Sequence, residues 1–216
     1  QWLLLRSVDH VVALSRNVRD DLLANGLAPG KVALLPIAAL LPGLGAEVDY
    51  SALRSVSSPD KPLQLLFVGR LITYKGLDLL AEAIALLGDR DDWRLTIAGS
   101  GPLETYISQE FGANPHVRIE LGWIAPERFS AMIGEHDVLL CPYTEASQSG
   151  VIPEAARRGV TAIVTPHAGL IEQMEAGQAG LVAESTTGAA FAAAIATMIE
   201  NRPLVSRLGL SLIHIS

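Results

Sequence analysis

The chain has 216 residues, half of them hydrophobic and 18% charged, with a formal net charge of −7. That length holds one full domain plus part of another, and the composition fills a large core, which excludes a disordered chain. The negative charge argues against a nucleic-acid surface, which wants clustered Lys and Arg, so any bound anion must be held by local cations.

In chain order, residues 1–5 lack the basic leader and long apolar core of a signal peptide, and the chain starts without Met. It therefore reads as a piece of a longer protein. Residues 9–15 predict a buried strand, and Ser15 predicts the cap of a helix from Arg16 to Asn25 closed by Gly26. Residues 31–35 predict another short strand. The longest apolar run, 32–44, is broken by Pro36 and Pro42 and is too short to cross a bilayer. Residues 36–62, with Gly43, Gly45 and Pro59, read as a linker.

From Leu63 the pattern is regular. Strands are predicted at 63–68, 94–98, 117–120, 138–140, 161–164 and 181–183. Helices are predicted at 77–87, 103–111, 126–133, around Glu154, at 170–175 and at 188–200. Six continuous apolar strands alternating with six helices imply an α/β fold, a doubly wound parallel sheet, Rossmann-like. Residues 63–204 are the expected domain. Residues 205–216 fit no amphipathic pattern and read as a non-native tail. Cys141 is the single cysteine, which rules out a disulfide framework and suits a reducing, cytoplasmic compartment. The five histidines fall at no zinc-ligand spacing, and no metal is expected.

Ligands of such sheets sit beyond the carboxyl ends of the strands, and the candidate motifs all follow strands. The central one is the stretch from Tyr143 to Gly159: a small polar loop, Ala146-Ser147-Gln148-Ser149-Gly150, turning from near Ser149 to Val151 into a helix that carries Glu154. A helix start favours an anion, and small residues let a ligand approach the backbone. Glu154 would repel a phosphate but suits the hydroxyls of a ribose or sugar. These features point to a nucleotide-sugar site. Gly69-Arg70 with Lys75-Gly76 puts two cations after one strand, which suits a diphosphate; an ordinary solvated loop is the plain alternative. Gly99-Ser100-Gly101 lacks the third glycine of a dinucleotide fingerprint. It is either a turn that lets a nucleotide lie close or a simple strand-to-helix turn. Gly122-Trp123 could frame a base, though a core or rim Trp is the commoner reading. His167 and Glu172 read as incidental and structural.

Taken together, these residues resemble the C-terminal, donor-binding domain of a family 4 retaining glycosyltransferase with the GT-B fold. The matching pieces are Gly69-Arg70, Lys75-Gly76, Gly99 to Pro102, Gly122, the strand ending at Pro142, and Ser147 through Glu154-Ala155. Gly159-Val160 and the Gly169, Glu172 and Gly180 region complete the set. Residues 1–35 resemble a remnant of the N-terminal acceptor domain and the crossover. The resemblance implies that Arg70 and Lys75 hold the donor diphosphate and that Glu154, the second glutamate of the family's pair, binds the ribose. It implies that Gly69, Gly99, Gly101, Gly122, Gln148, Ser149, Gly150 and Val151 line the donor. The first glutamate of the pair would stand at Ala146; it is absent, with Glu145 beside it, and a Ser-Gln-Ser-Gly subset of the family resembles this pattern better. The implied reaction is metal-independent sugar transfer with retention, with a nucleotide diphosphate sugar as donor substrate and no cofactor. The implied acceptor is a saccharide or lipid-linked group held by the N-terminal domain, with the full-length protein at the inner face of a membrane. Two other classes stay open: a nucleotide-binding fragment without transfer, and a flavodoxin-like regulatory or structural domain.

Overall fold

Strands buried on both faces read as unbroken apolar runs. In the computed structural model, which describes residues 7–35, 60–175 and 180–211, each run from Leu63 onward is a strand. The elements are β1 (Val11–Ala13), α1 (Arg16–Ala24), β2 (Val32–Leu34), β3 (Leu63–Arg70), α2 (Leu77–Leu87), β4 (Trp93–Ser100), α3 (Glu104–Phe111) and β5 (Val117–Leu121). They continue with α4 (Pro126–Gly134), β6 (Val138–Cys141), α5 (Val151–Arg157), β7 (Thr161–Val164), α6 (Ala168–Glu175), β8 (Gly180–Val182), α7 (Gly188–Glu200) and α8 (Arg202–Ser211).

Strands β3 to β8 form one parallel sheet in the order β5-β4-β3-β6-β7-β8. The chain winds outward from β3 to β5, returns through α4 to the other side of β3, and winds outward again. The direction reverses between β3 and β6, where Leu65 pairs with Val138 and Leu66 with Leu139. A crevice opens at that reversal, beyond the carboxyl ends of the two strands. This is the doubly wound sheet expected from the sequence.

The core follows from the same patterns. Leu63, Leu65, Leu66, Phe67 and Val68 of β3 are all buried, so both faces of the central strand are covered. Helix α2 buries Leu77, Leu80, Ala83, Ile84 and Leu87, one stripe at helical spacing, and packs against α7. The small side of α7 matters at its start: a Cβ on Gly188 would lie 2.4 Å from the Cβ of Glu82.

Two expectations change at the ends. The first strand shrinks to Val11–Ala13 because β2 offers only three partners, Val32 to Leu34. Ser15 caps α1 as expected, its hydroxyl accepting from the Val18 N–H at 3.2 Å. Residues 205–211, set apart in the sequence as a tail, instead continue α8, where Val205 is fully buried. Of the linker, residues 36–59 lie outside the described residues, as do residues 212–216 of the tail. Among the described residues no helix is long and apolar enough to cross a membrane.

Candidate functional site

The loops after β3 and β6 meet at the reversal. After Arg70 the chain makes one 3₁₀ turn, Thr73–Lys75, and leaves it through Gly76 in the left-handed region at φ 66°. A Cβ there would lie 1.8 Å from the Pro142 carbonyl oxygen, so only glycine lets the loops touch. The Thr144 N–H donates to the Tyr74 carbonyl at 2.9 Å and clips the second loop to the first.

This contact presents Arg70 and Lys75 with uncharged partners. Arg70 Nη2 donates to the Tyr74 hydroxyl at 3.1 Å. Lys75 Nζ stands 3.6 Å from the centroid of the Tyr143 ring and 5.4 Å from that of Tyr74. Among the described residues neither cation forms an ion pair with a carboxylate. Burial pushes the Lys75 ammonium below the ordinary lysine value; the Cys141 thiol opposes this, and the Arg70 charge adds to it. The two cations therefore feel each other across one space.

Tyr143 is buried beneath Lys75. Its hydroxyl lies 3.0 Å from the Ser149 hydroxyl. Its carbonyl accepts from Thr165 Oγ1 at 2.5 Å and from His167 Nε2 at 2.9 Å. A carbonyl only accepts, so the His167 proton sits on Nε2. Burial keeps the Tyr143 phenol well above its usual value and raises the Cys141 thiol to about 11, so both are neutral.

The polar loop before α5 is largely committed to the protein itself. The Ser149 N–H donates to Gln173 Oε1 at 2.8 Å, and Gln173 Nε2 returns a bond to the Ser149 carbonyl at 3.0 Å. The Gln148 amide donates to the Leu14 carbonyl. Both Glu172 carboxylate oxygens accept from the Arg16 N–H, at 3.0 and 2.9 Å, which confirms its structural reading. Gly150 begins α5 without a side-chain cap, and Val151 is buried. Glu154, 13% exposed, accepts from the Ser130 hydroxyl and from Arg157 Nη1 at 3.2 Å, with Arg158 Nε at 3.7 Å. A carboxylate offers about four acceptor positions, so these bonds leave room for a ligand hydroxyl.

The four glycines divide into two kinds. A Cβ on Gly69 or Gly122 would meet nothing within 4 Å, so both stand beside open space. A Cβ on Gly99 would lie 1.8 Å from the Gly69 carbonyl, and one on Gly101 2.4 Å from that of Leu71. The Gly101 N–H is taken by Glu104 Oε1 at 3.0 Å. This second pair closes the packing between neighbouring loops. Trp123 is 79% exposed, at the rim rather than in the core. Among the described residues no group of three or more His, Cys, Asp or Glu side chains could hold a metal.

The structure thus brings Arg70, Lys75, Gly69 and the β6–α5 loop to one crevice. Sequence reasoning missed the parts played by Tyr74, Tyr143, Gln173 and Ser130. The available signal was slight: a Tyr adjoining Lys75, and another opening the loop after β6.

Comparison with known proteins gives the family and the fold. A family model described as "Glycosyl transferases group 1" matches residues 62–201. A putative colanic acid biosynthesis glycosyltransferase, WcaL, of Salmonella typhimurium (strain LT2) is 27% identical over 203 residues, covering 89% of this chain and 48% of its own length. A D-inositol 3-phosphate glycosyltransferase of Corynebacterium glutamicum (strain R) is 30% identical over 166 residues, covering 72% and 40%. The chain spans about half the length of the curated relatives it matches. Among solved structures, Anabaena Alr3699/HepE in complex with UDP and glucose superposes with a TM-score of 0.74 at 17% identity, covering 97% of this chain and 59% of that one. A glycosyltransferase from Rickettsia africae ESF-5 gives 0.73 at 18%, covering 96% and 58%.

Proposed function

The chain belongs to the family of group 1 glycosyl transferases, and from that premise we propose that it is the donor-binding half of a retaining, family 4 enzyme. In this reading it binds a nucleotide diphosphate sugar and, with the acceptor domain, transfers the sugar to a saccharide or lipid-linked hydroxyl. The observation that carries the proposal is the pair Arg70 and Lys75, set at the sheet reversal on tyrosines and without carboxylates. The UDP bound in the Anabaena structure, which shares this fold, supports it.

The diphosphate lies against Arg70 and Lys75, beside the open space at Gly69. The ribose hydroxyls reach Glu154, and Gly122 with Trp123 borders the base. As the bond from the anomeric carbon to the phosphate oxygen breaks, the sugar becomes oxocarbenium-like and negative charge grows on the diphosphate. The two cations stabilise that charge, and one well-aimed group in such a site contributes about 2.7–4 kcal/mol. The acceptor oxygen then bonds to carbon on the face just vacated, which keeps configuration and puts its proton beside the departing phosphate oxygen. The reading calls for no divalent metal and no cofactor. Peripheral contact of the full-length protein with the cytoplasmic face of a membrane belongs to the same proposal.

A second reading is nucleotide binding without transfer. A flavodoxin-like domain is disfavoured, since it gives no reason for uncompensated cations at the reversal. Calorimetry with UDP, GDP and ADP, beside a transfer assay on the full-length protein, separates these. We expect one nucleotide to bind, and binding to weaken as pH rises through the lowered Lys75 value, because only the ammonium attracts the diphosphate. Lys75→Arg, which stays charged, removes that pH dependence. No binding by any of the three nucleotides would sink the proposal.

A further inference from the structure

We propose that Tyr143 is the positioning residue of this site, holding the Lys75 ammonium at the diphosphate by its ring face. This rests on the donor-site reading above.

A lysine side chain is long and flexible, so it must be held to act at one point. A carboxylate would hold it but would also cancel its charge. The face of an aromatic ring carries partial negative charge and no net charge, so it orients an ammonium and leaves its full positive charge for an anion. Lys75 Nζ stands 3.6 Å from the Tyr143 centroid, well inside the range of such contacts.

The ring itself is fixed from three sides. Tyr143 follows β6 after Pro142, and its carbonyl accepts from Thr165 and His167 of the loop after β7. Its hydroxyl meets Ser149, whose backbone Gln173 of α6 holds at both N–H and C=O. Thr144, the next residue, is bonded to the Tyr74 carbonyl, immediately before Lys75. Tyr143, through its ring, hydroxyl and carbonyl, therefore touches the loops after β3, β6 and β7. An aromatic that merely fills core would not need its face aimed at the half-buried Lys75 ammonium.

A double-mutant cycle on the full-length protein tests this, reading affinity by calorimetry for whichever of UDP, GDP and ADP the wild type binds. Tyr143→Leu should weaken binding roughly fivefold to thirtyfold, the span of a desolvated cation–ring contact. Tyr143→Phe, which restores the ring, should recover most of that loss. In the Lys75→Ala background Tyr143→Leu should change affinity by less than about twofold, because its effect runs through the ammonium. Should Tyr143→Leu fail to fold, phenylalanines of increasing fluorination at position 143 keep the shape and drain the ring face. Affinity should then fall stepwise with each fluorine. Equal losses from Tyr143→Leu with and without Lys75, or a flat fluorination series, would overturn the inference while the donor site stands. Unchanged affinity in Lys75→Ala would overturn both.

Discussion

The two edges of the sheet use arginine and lysine in opposite ways. At the amino edge Arg90 and Arg202 are bonded within the protein. Arg90 bonds Asp92 at 2.9 Å and Glu200 at 3.0 Å, and holds the Asp92 carboxyl below its usual range. Arg202, buried at the start of α8, donates to the carbonyls of Lys61 and Asp92, both at 3.1 Å. These groups fasten α7 and α8 to the starts of β3 and β4. At the carboxyl edge Arg70 and Lys75 meet only phenol and ring. The first arrangement turns the cation's hydrogen bonds inward, although Arg202 Nη1 is left without a partner. The second orients it and leaves its charge for something outside. The partner, more than the residue type, separates an anchor from a binding group.

That contrast can be broken by mutation. The largest effect is expected at the carboxyl edge. Arg70→Ala or Lys75→Ala should lower turnover of the full-length enzyme at least about tenfold and leave its melting temperature nearly unchanged. Unchanged kinetics in both variants would remove the diphosphate assignment. At the amino edge Arg202→Ala should cost about 1–3 kcal/mol, since a buried side chain and its two part-buried bonds to the Lys61 and Asp92 carbonyls are lost. That amounts to several degrees of melting temperature, read by calorimetric scanning, with nucleotide affinity unaltered. The smallest effect is expected for Arg90→Ala, whose pairs are partly exposed and together contribute less than about 1 kcal/mol. A loss of nucleotide affinity in Arg202→Ala or Arg90→Ala would erase the distinction between the edges.

The sheet was legible in the sequence because a strand buried on both faces cannot hide: 63–68 and 161–164 have no alternation to disguise them. Helix α8 was not. Its buried positions are few, Val205 with Leu204 and Leu208 packed beside it, and Pro203 follows its first residue. That pattern is too sparse to stand out from a tail. At the site Arg70 and Lys75 were legible as residue types placed after a strand. Their uncancelled charge was not, because it depends on Tyr143, 68 positions from Lys75 and brought near only by the sheet order. The same holds for Gln173, which closes on Ser149 from another helix. Gly69 and Gly99 look alike in sequence; only the neighbouring backbone tells the one beside open space from the one pressed against a strand.

The corner at Ser15 has a mechanical consequence. Leu14 is gripped by Gln148 and Arg16 by Glu172, so two adjacent peptide groups of the first segment are clamped from both sides of the crevice loop. Hydrogen bonds weaken steeply with misalignment, so this corner does not stretch smoothly; it holds or it lets go. A corner built that way acts as a latch, with Gln148 as its bolt.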